Sequence, residues 1–158
     1  MSSHRAIDIL NHSPRWVPLK LGPKIEESIT VAADHLGLPQ FDLCIVLADD
    51  AFIQELNAQY RGKDKPTDVL SFPQHDFTPG DEIVIENLNL GDIILSYETV
   101  SKDAEAQGKN LSDHVRHMIV HGFLHLLGYD HQDEEPAMEM ETLEGVILDK
   151  LHVANPYQ

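Results

Sequence analysis

Three histidines at fixed spacing constrain this chain more than any other feature. They are His121, His125 and His131, with Gly128 between the second and the third. An α-helix turns about 100° per residue, so His121 and His125 stack on one helical face, a spacing at which two imidazoles can share one metal ion. His131 cannot join them along a continued helix, where at about 1.5 Å rise per residue it would lie roughly 9 Å beyond His125. Metal–nitrogen bonds of about 2 Å require the chain to turn back. Gly128 is the residue that permits this, because glycine takes the left-handed conformation that ends helices. The pattern predicts two ligands on a long helix, a glycine stop and a third ligand on the returning turn.

This is the ligand spacing of the metzincin proteases with one change. In those enzymes a glutamate follows the first histidine and acts as general base; here the position is Gly122. Three protein ligands leave a coordination position open, as in catalytic rather than structural zinc sites, unless Asp130 or another carboxylate closes it. The same rotation puts His114 and His117 on the stripe of His121. His117 is a candidate catalytic or supporting residue, and His114 is read as an ordinary packed histidine. Zinc is the expected metal, although three imidazoles also accept nickel or another transition metal.

The rest of the chain reads as strands and helices mixed in order. Strands are expected at 6–11, 41–47, 67–72, 82–85 and 88–95, and helices at 21–36, from Asp49 or Asp50 to Tyr60, at 97–107, from 111 to the glycine stop, and at 134–151. Pro14 and Pro18 mark a loop, residues 74–80 another, and Ser112 is the expected cap of the histidine helix. The order predicts an α+β fold, a small mixed β-sheet covered by helices, forming a single domain over residues 1–158.

No stretch approaches the roughly 20 apolar residues of a membrane span. The first residues, MSSHRAID, lack the apolar core of a signal peptide, which points to the cytoplasm. Cys44 is the lone cysteine and is expected to be a buried thiol. The formal charge of −16 repels polyanions at long range, so a nucleic-acid partner must be met by a local basic patch. Arg61, Lys63 and Lys65 supply one. The acidic run from Asp130 to Glu144 is expected to be a solvated face.

Three blocks together resemble the YbeY family of bacterial endoribonucleases, the rRNA-maturation factors. They are His117–His131, the segment Asn57–Pro73 (NAQYRGKDKPTDVLSFP), and Gly91-Asp92-Ile93, about a quarter of the chain in all and in the family's order. No departure occurs at His121, His125, His131 or Arg61. The resemblance implies a zinc-dependent, single-strand-specific endoribonuclease that matures the 3′ end of small-subunit ribosomal RNA and supports ribosome quality control. It implies ribosomal RNA, the small subunit and assembly factors as partners, with neither DNA nor membrane, and places Arg61 in the cleft with the three histidines.

The residues permit that chemistry. Zinc can acidify a water and polarise a phosphoryl oxygen. Arg61 offers a fork suited to phosphate and to charge developing in the transition state, and Lys63 and Lys65 can contact RNA phosphate. Gly122 cannot be the base, which leaves a water on the metal, His117 or the RNA 2′-hydroxyl. Two other readings compete. A metallopeptidase follows from the ligand spacing alone but lacks its glutamate. A non-catalytic assembly or RNA-binding factor would use zinc only to hold its fold, and should then show a fourth protein ligand and unfold when the metal is removed.

Overall fold

The computed structural model describes residues 4–83, 85, 88–130 and 134–157. Four strands, β1 (His4–Asn11), β2 (Gln40–Ala48), β3 (Val69–Pro73) and β4 (Asn89–Ser96), form one sheet in the order β1-β2-β4-β3. β1, β2 and β4 run parallel and β3 pairs antiparallel with β4, so the sheet is mixed, as expected. The helices are α1 (Gly22–Leu36), α2 (Asp50–Arg61), α3 (Tyr97–Ala106), α4 (Leu111–Leu126) and α5 (Glu134–Lys150).

Alternation along β2 divides the core. Phe41, Leu43, Ile45 and Leu47 point to one face and pack with Ile93 and Leu95 of β4 against α1, α4 and α5. Val46 and Ala48 point to the other and pack with Leu70, Ile94 and Ile53 of α2. A strand covered on both faces reads as a near-continuous apolar run, which is why this one was the plainest in the sequence. The histidine helix α4 is the central helix of the larger core: Val115, Met118, Ile119, Phe123, Leu124, Leu126 and Leu127 are all buried.

Several expectations are corrected. The Pro14 segment is a 3-10 helix over Pro14–Leu19, capped by the Ser13 side chain and pinned where Trp16 Nε1 donates to Ala48 O at 2.8 Å. The strand expected at 67–72 begins at Val69. Glu82, Ile83 and Ile85 form no strand, and Ile83 packs on the core without a ladder partner; Val84 lies outside the described residues. The cap of α4 is Asn110, whose Oδ1 accepts from Asp113 N at 2.8 Å, while Ser112 accepts from Lys24 Nζ. Cys44 is half-buried, its thiol pKa raised by burial and by Asp92 and Asp8. No described helix is long and apolar enough to cross a membrane.

Candidate metal centre

The histidines form the expected stripe along α4. Ring centroids step from His114 to His117 at 6.0 Å, to His121 at 6.4 Å and to His125 at 4.5 Å. At the less buried end of this stripe the Nε2 atoms of His121 and His125 face each other 2.9 Å apart. His125 Nδ1 bonds the carbonyl oxygen of Tyr129 at 2.9 Å, and His121 Nδ1 bonds Glu144 Oε1.

Those partners fix the tautomers. Burial alone would raise the pKa of Glu144, but hydrogen bonds from His117, His121 and Tyr157 and the charge of His121 outweigh it and hold the carboxyl at about 2. An ionised carboxylate and a backbone carbonyl only accept hydrogen bonds, so both Nδ1 atoms carry protons. With Nδ1 so engaged, Nε2 is the nitrogen that each ring, when neutral, can offer to a cation, and the two Nε2 atoms lie side by side. The donor set fits a transition metal, with each ligating imidazole oriented through its other nitrogen.

The turn after α4 behaves as the glycine predicted. Gly128 has φ +95°, its N–H bonds His125 O at 3.1 Å, and Tyr129 N bonds Leu124 O at 3.1 Å. A Cβ at position 128 would also lie 2.1 Å from the carbonyl oxygen of Phe77, where the loop after β3 crosses the turn. That turn delivers the Tyr129 carbonyl to His125. Asp130 is exposed, and His131, the expected third ligand, lies outside the described residues. Among the described residues no group of three or more His, Cys, Asp or Glu side chains is placed to hold a metal.

Gly122 answers a steric requirement. A Cβ there would point at the sheet, 2.9 Å from Ile93 Cγ2 and 3.2 Å from Ser71 Oγ. The position that carries the protease glutamate is here filled by the contact of α4 with β3 and β4, and Ser71 Oγ donates to Gly122 O at 3.2 Å.

This contact also joins the three sequence blocks. Phe72 pairs with Asp92 and Pro73 with Gly91 across β3 and β4, Ser71 bonds α4 between His121 and His125, and the Tyr60 ring stands edge-on to Phe72 at 5.3 Å. Arg61 is the last residue of α2, exposed, and its guanidinium makes no hydrogen bond or ion pair among the described residues. Gly62 then turns the chain at φ +68°, and buried Asn57 holds the next segment through Nδ2 to Lys65 O at 2.9 Å. Lys63 and Lys65 are exposed.

The model of the family described as endoribonuclease YbeY matches residues 11–152. This chain belongs to that family. An endoribonuclease YbeY from Paracoccus denitrificans is 42% identical over 161 residues, covering 96% of this chain and 89% of the relative. One from Paramagnetospirillum magneticum is 53% identical over 129 residues, covering 80% and 79%. The solution structure of TM1509 from Thermotoga maritima superposes with a TM-score of 0.60 at 24% identity, over 92% of this chain and 91% of that one, which shows the shared fold.

Two residues of the centre escaped the sequence reading. Glu144 belongs to the acidic run expected to face solvent, yet it is fully buried. A signal was present: on α5 it falls in the stripe of Met140, Ile147 and Leu148, all buried, where a charge demands a partner. Tyr157, whose hydroxyl donates to Glu144 Oε2, carries no such mark. His117 is buried, with Nε2 3.5 Å from the Tyr157 hydroxyl and 3.6 Å from Glu144 Oε2. Of the roles expected for it, this geometry favours the supporting one.

Proposed function

We propose that the chain is a zinc-dependent, single-strand-specific endoribonuclease acting in ribosomal RNA processing, with His121, His125 and His131 as metal ligands. The observation that carries this reading is the pair of imidazoles on one face of α4, their Nε2 atoms 2.9 Å apart and each ring oriented through Nδ1, in a chain of an endoribonuclease family that is metal-dependent. When bound, zinc supplies Lewis acidity to a phosphoryl oxygen and lowers the pKa of a water.

The protein's own groups do the rest. Arg61, exposed at the end of α2, is the group for the phosphate and for charge that develops on it. Lys63 and Lys65 provide local attraction for RNA on a molecule of net charge −16, and salt weakens that attraction. Glu144 holds His121, and His117 stands beside Glu144. With Gly122 against the sheet, no side chain at that position takes a proton, and the RNA 2′-hydroxyl and a water compete as nucleophile. A cyclic phosphate end marks the first and a linear phosphate end the second. The 3′ end of small-subunit ribosomal RNA is the proposed target.

The test is cleavage of a single-stranded ribosomal RNA by wild type, Arg61→Ala and metal-stripped protein of verified fold. Cleavage should require metal, and Arg61→Ala should lower it by about a hundredfold or more, as for loss of a transition-state donor. Full activity in that variant removes Arg61 from the mechanism. No cleavage by folded, zinc-loaded protein replaces the enzyme reading with that of an assembly factor.

A further inference from the structure

The segment after α5 returns to the candidate metal centre. After α5, Leu151 and Val153 are buried against the core, and the chain runs back along the helix that carries Glu144. Asn155 lies against Gly145, where a Cβ would stand 2.4 Å from its Nδ2, and Asn155 Oδ1 accepts from Tyr157 N at 2.9 Å. This registers Tyr157 so that its hydroxyl donates to Glu144 Oε2 while His121 Nδ1 donates to Oε1. One buried carboxylate is thus held from both sides, by the tail and by the ligand, and His117 closes the cluster with its ring 6.0 Å from that of Tyr157.

We propose that Tyr157 is a positioning residue of the metal centre: acting through Glu144, it fixes the ring and tautomer of His121 and thereby sets the metal affinity of the site. The inference rests on the assignment of His121 and His125 as metal ligands. A carboxylate with two oxygens can rotate about its last torsion; with Oε2 engaged by the phenol, Oε1 has one position left for His121. Groups that orient a ligating histidine typically change metal affinity by about 10–100-fold when removed. Asn155 and Tyr157 lie beyond residues 11–152, the span that the family model matches.

The experiment measures zinc affinity by competition with a chromogenic chelator, together with the melting temperature of the metal-free protein. The set is wild type, Tyr157→Phe, Glu144→Gln and the double variant. Glu144→Gln, nearly isosteric, should weaken zinc binding by about 10–100-fold. Tyr157→Phe should weaken it by a smaller factor with little change in metal-free melting, and should add nothing in the Glu144→Gln background, since both act through one contact. Wild-type affinity in Tyr157→Phe, or an undiminished effect of it in the double variant, overturns the proposal. If Glu144→Gln does not fold, Tyr157→Phe alone decides on the same criterion. Failure of wild type to bind zinc overturns the ligand assignment itself, and this inference with it.

Discussion

Gly122→Ala tests whether the close approach of α4 to the sheet is what shapes the site. The added methyl would lie 2.9 Å from Ile93 Cγ2, 3.2 Å from Ser71 Oγ and 3.4 Å from Ile93 Cδ1. Ile93 is fully buried in β4, paired with Ile45 of β2 and Ser71 of β3, and its Cγ2 is fixed directly to Cβ, so it has nowhere to retreat. Overpacking of this kind costs about 1–3 kcal/mol. Alanine also recovers about 1 kcal/mol of helix propensity over glycine. The balance is a net loss of about 1 kcal/mol, or roughly 2–4 °C in melting temperature for a domain of this size. Propensity alone predicts the opposite sign, so the direction decides. Chemical unfolding of wild type, Gly122→Ala, Ile93→Ala and the pair makes the test sharper. Ile93→Ala costs about 2–5 kcal/mol by itself, but it removes the clashing atom, and the double variant should be more stable than the sum of the single losses by the overpacking relieved, about 1–3 kcal/mol. A Gly122→Ala protein as stable as wild type, or additive losses, would refute the steric account of the missing glutamate.

Three further outcomes follow from the same geometry. His114 is almost wholly buried, and burial, with His117 and Lys109, lowers its pKa from 6.5 to about 4. Protonation therefore favours the unfolded chain: this contribution to stability is complete above pH 6.5 and is lost as pH falls toward 4, by up to about 3 kcal/mol. Urea unfolding of His114→Leu at pH 7 and pH 4.5 should show a smaller acid loss than wild type, and parallel losses would exclude His114 as the source. His121→Ala should lose bound zinc as well as RNA cleavage, measured by metal content after gel filtration; unchanged stoichiometry would overturn the ligand assignment. Gly122→Glu should gain no peptidase activity and should unfold more readily, because its carboxylate is driven against Ile93 rather than toward the histidines; cleavage of a peptide by this variant would show that the side chain reaches the centre.

What the sequence revealed and what it hid divide along the range of the interactions. The His121–His125 face and the Gly128 stop depend on helix geometry within a few residues, and both stand as read. The cap of α4 was misplaced by two residues because Asn110 and Ser112 are both competent caps, and the hydroxyl of Ser112 is engaged by Lys24, which lies 88 positions away. Residues 82–85 have a strand's apolar pattern, but Ile83 meets that demand by packing alone. Gly122 appeared in the sequence only as the absence of a glutamate; its reason lies in Ile93 and Ser71, from two other strands. Glu144 marks the limit most clearly. Charge composition assigned it to water, whereas its place in an apolar helical stripe assigned it to the core, and the second rule is the stronger because it carries direction. A carboxylate in such a stripe needs donors, and a face of four histidines on a neighbouring helix offers them. Read together, the two stripes require α4 and α5 to meet at Glu144, so the support of His121 is also what sets those two helices against each other.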